Sequence, residues 1–196
     1  MELARVAAAM GIKLTGGEWC GRILNVPKGD KVRPTTGRVR ESVLQKIAPY
    51  LSEAHVLDGF AGSGLMGFEC LSRGAASVVA VEQSPHHAKV IAGNAALLGA
   101  SPPCYQLKVM PLQRHLAKPL PAEQPAYTVV YLDPPYAFEG WGALLNSLKT
   151  HNHGQWPTVC LAEVAGDADP VALLGEPWAS QLKASWPYGD TQVWWL

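Results

Sequence analysis

The chain's most chemically distinctive residues follow the apolar run Tyr127–Leu132: Asp133, Pro134, Pro135 and Tyr136. A carboxylate and a proline-fixed carbonyl could each accept one N–H of an amino group conjugated to a flat ring. These acceptors would stabilise the positive charge that develops on the nitrogen as it attacks a methyl donor. The Tyr136 ring offers a face on which a base can stack. The tetrapeptide therefore indicates an amino methyl-transfer site, although Asp-Pro also begins ordinary turns.

A glycine-rich turn forms a second candidate site. The segment Val56–Gly67 contains Gly62, Gly64 and Gly67 with the spacing G-x-G-x-x-G, and Glu82 ends the next apolar run. Glycines in such a turn let backbone N–H groups approach a ligand, and a carboxylate at the end of the second strand can accept both hydroxyls of a ribose. We expect a nucleotide-type ligand here, although the same pattern also suits a tight turn without one.

The glycines alone do not decide which ligand binds. A dinucleotide and S-adenosylmethionine both use a glycine loop and an acidic second-strand end. Asp58 precedes the glycines, and its carboxylate would repel a pyrophosphate but attract an ammonium and a sulfonium group. Asp58 therefore favours S-adenosylmethionine.

Basic residues are concentrated near the start of the chain. Residues 1–46 contain nine basic and four acidic residues, a net charge of +5, whereas the whole chain is neutral and the rest therefore carries −5. A basic strip beside a base-methylating pocket would bind a phosphate backbone, although charge runs are usually solvated helix faces. The candidate contacts are Arg22, Arg33, Arg38 and Arg40.

Hydrophobic patterning predicts an α/β fold. Two short strands surround Gly16–Gly17, a helix begins after Thr36 and ends at Pro49, and strands then alternate with helices. This alternation indicates a mostly parallel sheet covered on both faces. The predicted later elements are strands at 55–58, 77–82, 105–109, 127–132, 158–164, 180–186 and 191–196, a helix from the glycine turn to Gly74, and helices at 85–98 and 141–149.

Composition narrows the class of protein. The 196 residues are 48% hydrophobic and 16% charged, which fits one globular unit rather than a disordered tail. We expect a basic arm and hairpin at 1–36 and a main domain at 37–196 that together form one compact unit. Four scattered cysteines and no long apolar run predict no disulfide framework, metal site or membrane span. We expect a cytoplasmic protein without a signal peptide. We also expect a monomer.

Taken together, these motifs resemble the RsmD-type bacterial 16S rRNA guanine-N2 methyltransferases. The resemblance runs from about Gly11 to Leu196. It is carried by GGEWCGRIL (16–24), RPTTGRVRE (33–41), LDGFAGSGLMGFECLSRGA (57–75), VEQS (81–84), DPPY (133–136) and YGDT (188–191). It implies a class I S-adenosylmethionine-dependent methyltransferase fold, Rossmann-like, with a seven-stranded, mostly parallel sheet, a late antiparallel strand and a small N-terminal hairpin and helix extension. It also implies methylation of guanine 966 of 16S rRNA, in the small ribosomal subunit or its assembly intermediate, with S-adenosylhomocysteine as the second product.

The resemblance also implies roles for individual residues. Asp133 to Tyr136 would hold the target guanine and its N2, and Arg33, Thr35, Thr36, Arg38 and Arg40 would guide RNA or shape the entrance. The cofactor set would be Asp58, Phe60, Ala61, Gly62, Gly64, Glu82, Gln83 and Met110. The family often has a polar residue near the adenine amino group, where this chain has Val109 and Met110. We therefore expect Met110 and Leu112 to pack on the adenine ring.

Three alternatives remain open from the sequence. The same chemistry could act on a DNA adenine or cytosine, or on a protein amide, because each presents a conjugated amino nitrogen. The chain could be an RNA-binding assembly factor without catalytic activity, which the apolar Val109 would allow. The glycine pattern taken literally also permits a dinucleotide-dependent oxidoreductase.

Overall fold

The computed structural model describes residues 11–27 and 34–196, and the side chains of residues 11–27 and 37–196. Two short antiparallel strands come first, β1 (Gly11–Lys13) and β2 (Ile23–Asn25). The main sheet contains β3 (His55–Asp58), β4 (Ser77–Glu82), β5 (Tyr105–Val109), β6 (Val129–Leu132), β7 (Val159–Ala165), β8 (Ala184–Tyr188) and β9 (Thr191–Trp195). The helices are α1 (Pro34–Ile47), α2 (Leu65–Ser72), α3 (Pro85–Leu98), α4 (Leu112–His115), α5 (Trp141–His151), α6 (Pro170–Leu174) and α7 (Glu176–Ala179).

The seven strands of the main sheet lie in the order β5-β4-β3-β6-β7-β9-β8. Strands β3 to β7 are parallel, and β9 is antiparallel to both of its neighbours. The mostly parallel sheet with a late antiparallel strand is therefore confirmed. The chain order reverses between β3 and β6, and open sheets of this kind bind ligands beyond the carboxyl ends of the strands at such a reversal.

Alternating residues of the strands supply two hydrophobic clusters, one on each face of the sheet. Val56, Val78 and Leu161 pack with the β1–β2 hairpin and with α1, α2 and α3. Their chain neighbours Leu57 and Val79 pack on the opposite face with the helices that follow β5. Because parallel strands are covered on both faces, they consist of nearly continuous apolar runs.

The hairpin shares the core of the main domain. Leu14 and Leu24 are fully buried in the same cluster as Val43 and Phe68. Two further hydrogen bonds fasten the hairpin: Asn25 N–H donates to Asn94 Oδ1 at 2.9 Å, and Asn94 Nδ2 donates back to the Asn25 carbonyl at 2.9 Å. Helix α3 therefore anchors the hairpin to the body of the protein.

Local capping fixes the predicted bounds of α3. Ser84 precedes it and accepts the N–H of His87, Pro85 occupies its first position, and Gly99 ends it in the left-handed conformation at φ 72°. The prediction for α1 was wrong at its start: the helix begins at Pro34 rather than after Thr36. A proline is well suited to a first helical position because the N–H that it lacks has no partner within the helix.

Other element boundaries differ from the predictions where long-range contacts intervene. Strand β6 begins at Val129 rather than Tyr127, because the Tyr127 N–H donates to Asn152 Oδ1 at 2.6 Å. Strand β8 begins at Ala184 rather than at residue 180, after the short helix α7. The short helices α4 and α6 were not predicted. Within the described residues, no helix is both long and apolar enough to cross a membrane.

Candidate active site

The turn after β3 is built around Asp58. This carboxyl group is 1% exposed, and its Oδ2 accepts the N–H of Gly67, at the start of α2, at 3.0 Å. The pKa of Asp58 is raised from 3.8 to about 7, mainly by burial. The Gly67 hydrogen bond lowers the pKa, and the nearby charge of Glu82 raises it further. Asp58 is therefore a buried acid whose charge responds to pH and to a cationic ligand.

The glycine N–H groups of this turn have hydrogen-bond partners within the protein. The N–H groups of Gly62, Gly64 and Gly67 donate to Glu82, to the Ala61 carbonyl and to Asp58. A Cβ on Gly67 would lie 2.9 Å from Val78 Cγ1, which explains this glycine by close helix–strand packing. Space beside the Gly62 α-carbon is open, in contrast, with the nearest atom 3.9 Å from a built Cβ.

Glu82 closes the other side of the turn. Its Oε2 accepts the Gly62 N–H at 2.8 Å, and its Oε1 accepts the Ser84 N–H at 2.7 Å. The His87 imidazole Nδ1 lies 3.9 Å from Oε1. Two backbone donors thus fix the direction of a carboxylate that is 8% exposed. Such a fixed acceptor is suited to a pair of ribose hydroxyls.

One cavity of about 740 Å³ brings the two predicted sites together. Its volume lies within the usual range for small-molecule sites, about 300 to 1,000 Å³. It is lined by the predicted cofactor residues Asp58, Phe60, Ala61, Gly62, Glu82, Gln83 and Met110 and by the predicted catalytic residues Asp133, Pro134, Pro135 and Tyr136. The reversal of strand order explains why the two sites share a cavity. Asp58 ends β3 and Asp133 directly follows β6, and these two strands are neighbours at the centre of the sheet.

Gly64, a predicted cofactor residue, is not among the residues that line this cavity. It adopts the left-handed conformation at φ 77°, and a Cβ there would lie 2.9 Å from the Phe68 ring and 3.2 Å from Ile91. Gly64 is needed for the turn and for packing. Met110 and Leu112, which were expected near the adenine, line the cavity, whereas Val109 is 51% exposed and is not among the lining residues.

The loop after β6 is fastened to the last strand of the sheet. The Tyr136 hydroxyl shares a hydrogen bond with the Thr191 hydroxyl at the start of β9. The Pro135 carbonyl accepts the Phe138 N–H at 2.8 Å. Because both prolines and both hydrogen bonds restrict this loop, Asp133 and Tyr136 are held at the edge of the cavity.

The predicted RNA-contact residues fall into three groups. Arg22 and Arg38 are exposed, and Arg38 directly precedes the cavity-lining residues Val39 and Arg40. Arg33 lies outside the described residues, as do the side chains of Thr35 and Thr36, whose backbone belongs to α1.

Arg40 corrects the prediction of a phosphate contact. It is 8% exposed, and its Nε lies 3.2 Å from Glu69 Oε1 within α2. Its Nη2 also donates to the Lys13 carbonyl at 3.3 Å. The guanidinium of Arg40 therefore joins α1, α2 and the hairpin, and it forms part of the cavity wall rather than of an exposed strip.

Sequence reasoning missed several residues of the cavity. Glu163 in β7 is 7% exposed, lines the cavity and accepts the Tyr131 hydroxyl hydrogen at 2.5 Å. His87 also lines the cavity, as do Tyr188 and Asp190. A carboxylate within the apolar segment Val159–Ala165 was the available signal for Glu163, because an acidic residue is rarely buried without a partner. In the part of the chain that the structure describes, no group of three or more His, Cys, Asp or Glu residues could hold a metal ion.

The chain is similar in sequence to several known proteins. The family model described as Conserved hypothetical protein 95 matches residues 12–170. Ribosomal RNA small subunit methyltransferase D from Haemophilus influenzae is 37% identical over 127 residues, 65% of this chain and 65% of the relative. The protein of the same name from Escherichia coli is 35% identical over 125 residues, 64% of this chain and 60% of the relative.

Both alignments therefore span less than two thirds of the relatives' own lengths. A solved structure covers more: “Putative methyltransferase yhhF” from Escherichia coli matches with a TM-score of 0.74 and 28% identity, over 95% of this chain and 97% of that one. The sheet order and this likeness identify a class I methyltransferase fold. The chain belongs to the family described as Conserved hypothetical protein 95, the RsmD-type family.

Proposed function

We propose that this chain transfers a methyl group from S-adenosylmethionine to the exocyclic N2 of a guanine in 16S rRNA. The observation that carries the proposal is the single cavity shared by the Asp58–Glu82 cradle and by Asp133 to Tyr136. The names of its relatives, ribosomal RNA small subunit methyltransferases, support an rRNA substrate. We further propose, from the family resemblance, that the target is guanine 966 of the small subunit or its assembly intermediate.

The residues present fit S-adenosylmethionine. The fixed Glu82 carboxylate accepts the ribose hydroxyls, the buried Asp58 carboxylate attracts the positively charged methionine part, and Phe60, Met110 and Leu112 provide apolar cavity wall for the adenine. The bound donor supplies an electrophilic methyl group on a sulfonium. Gly62 leaves room beside its α-carbon for the cofactor to pass.

The target base would be held by the loop after β6. The Asp133 carboxylate and the Pro134 carbonyl accept the two N–H bonds of the amino group and stabilise the positive charge that develops on nitrogen during attack. Tyr136, 43% exposed at the cavity edge, supports the flat face of the flipped base. Alignment of nitrogen and methyl by this fixed loop supplies much of the rate enhancement. The nitrogen's surplus proton leaves after the new N–C bond has formed, so a general base is not required.

The test uses labelled S-adenosylmethionine and small ribosomal subunits from a strain that lacks the modification. After incubation with the purified protein, the rRNA is digested and the labelled nucleoside is identified by mass spectrometry. We expect N2-methylguanosine, and mapping the site then decides whether it is guanine 966. Label in another nucleoside, or no label despite measured cofactor binding, would contradict the proposed substrate.

A variant separates transfer from cofactor binding. Asp133→Ala removes one acceptor of the amino group but leaves the Asp58–Glu82 cradle intact, so transfer should fall by about 100-fold or more. Calorimetric titration should show nearly unchanged S-adenosylmethionine affinity. Full transfer activity in this variant would show that Asp133 does not hold the amino group.

A further inference from the structure

Glu163 is a buried carboxylate that the methyl-transfer steps above do not use. It lies in the otherwise apolar strand β7, is 7% exposed and lines the cavity. The Tyr131 hydroxyl donates to its Oε2 at 2.5 Å. Burying a carboxylate is costly unless it is hydrogen-bonded, and a carboxylate oxygen pair has about four acceptor positions. Because Glu163 lines the cavity, a donor on a bound molecule can approach its carboxylate.

The sheet register places Glu163 beside the amino-group site. Leu132, the last residue of β6, pairs with Ala162 in β7. The residues that come next in the two segments are Asp133 and Glu163, so the register places them next to each other. Tyr131 is two residues before Asp133 and therefore lies on the same face of the sheet. Burial raises the pKa of Tyr131 well above 10, and the charges of Glu163 and Asp133 add to this shift. Tyr131 thus stays protonated and holds Glu163 as an acceptor.

The bases that carry an amino group differ in the atom next to it. In guanine, N1 beside the amino-bearing carbon carries a hydrogen and is a donor. In adenine and cytosine, the equivalent ring nitrogen is an acceptor, and a protein amide has a carbonyl on one side and a methylene on the other. A carboxylate at this position pairs with guanine but faces a lone pair in the other two bases, which is unfavourable in a buried site.

We propose that Glu163, oriented by Tyr131, accepts the N1–H of the target base and thereby selects guanine among amino-bearing substrates. This inference rests on the proposed function, because it assumes that Asp133 holds the amino group. Two groups of residues then have separate roles. Tyr131 of β6 and Glu163 of β7 select the base, and Asp133 to Tyr136 select its amino nitrogen as the atom that is methylated.

The test compares two bases that share the amino group at C2. They differ at N1, which carries a hydrogen only in guanine, and at C6, which carries an oxygen only in guanine. Ligated 16S rRNA carrying either guanine or 2-aminopurine at the mapped target is assembled into small subunits. Since 2-aminopurine has no N1–H, we expect the wild-type kcat/KM for it to be about 10- to 100-fold lower than for guanine. Equal values for the two bases would overturn the role of Glu163 while leaving the proposed function intact. No transfer to guanine would instead overturn the proposed function, and the inference with it.

The variant Glu163→Gln makes the test specific to this side chain. An amide can accept from guanine N1–H and can also donate to 2-aminopurine N1, so the ratio of the two kcat/KM values should fall towards one. Glu123→Gln, an exposed carboxylate, is the matched control and should keep the wild-type ratio. An unchanged ratio in Glu163→Gln would contradict the proposal.

Tyr131→Phe provides a second variant should Glu163→Gln fail to fold. It keeps the aromatic ring and removes the hydroxyl that orients Glu163, so the ratio should fall by several-fold, while S-adenosylmethionine affinity stays near that of the wild type. Since each ratio is measured with one enzyme preparation, a general loss of stability would not change it. A wild-type ratio in Tyr131→Phe would exclude the orienting role of the hydroxyl.

Discussion

Three buried carboxyl groups around the cavity are held by different partners. Asp58 accepts from Gly67, Glu82 accepts from Gly62 and Ser84, and Glu163 accepts from Tyr131. Each partner is fixed by the backbone or by packing, so the carboxyl groups are oriented before a ligand arrives. Preorganised charges of this kind need no rearrangement when the ligand binds.

At the residue scale, we predict that Asp58→Asn weakens cofactor binding and removes its pH dependence. With a pKa of about 7, Asp58 should lose its charge as the pH falls through 7, so wild-type affinity for S-adenosylmethionine should be lower at pH 6 than at pH 8. The amide can still accept the Gly67 N–H but carries no charge to attract the cofactor. Calorimetric titrations at both pH values measure this, with Asp167→Asn, an exposed position, as control.

The same variant should be more stable than the wild type above pH 7. Because the folded-state pKa of Asp58 is raised from 3.8 to about 7, the native protein binds the proton more tightly than the unfolded chain. Stability therefore decreases as the pH rises between these values, and the charged group destabilises the fold above them. Asp58→Asn should therefore raise the free energy of unfolding by about 1–3 kcal/mol at pH 8. Lower stability of the variant in denaturant unfolding at pH 8 would contradict the argument.

At the scale of elements, a buried ionic cluster around Glu69 joins three of them. Glu69 in α2 is fully buried and pairs with Arg40 of α1 and with Arg73. Its carboxylate also accepts the Thr15 N–H, at 2.9 Å to Oε1, in the turn after β1. These contacts position α1 and the hairpin over the cavity, which both elements help to line through Ile12 and Val39.

We predict that Glu69→Ala lowers the free energy of unfolding by about 3–5 kcal/mol, because it leaves the buried Arg40 guanidinium without its counter-charge. Urea unfolding followed by circular dichroism measures the loss. Glu41→Ala, at an exposed position of α1, should change stability by less than about 0.5 kcal/mol. Similar losses in the two variants would mean that the Glu69 cluster does not hold these elements together.

At the scale of the whole molecule, the net charge is zero but the charged residues are unevenly distributed along the chain. The excess of +5 over residues 1–46 includes the buried Arg40, so fewer cations are available to RNA than the sequence suggests. Arg38 is exposed and directly precedes two residues of the cavity wall. Under the proposed function, we expect Arg38 to contact a phosphate of the substrate.

We predict that Arg38→Ala weakens RNA binding and reduces the slope of log affinity against log salt by about one. Lys149→Ala is the matched control: it is exposed in the last turn of α5, which leads to the start of β7 at the opposite edge of the sheet. Its slope should equal that of the wild type. The outcome that rejects the prediction is an unchanged slope in Arg38→Ala.

The sequence by itself determined the features that depend on neighbouring residues. The bounds of α3 follow from Ser84, Pro85 and Gly99, and β3 and β4 were predicted with their observed bounds. Capping bonds and apolar runs act over a few residues, so their signals are local. The glycine turn and Asp133 to Tyr136 could be recognised for the same reason.

Only the tertiary structure decided the partners of side chains that are far apart in the chain. Arg40 and Glu69 are 29 residues apart and Tyr131 and Glu163 are 32 apart, yet each pair is bonded. The reversal of strand order between β3 and β6 brings the glycine turn to Asp133, and the pairing of β6 with β7 adds Glu163. A buried charge requires a partner, but which residue supplies it depends on sheet order and register, and these are fixed only when the whole core packs.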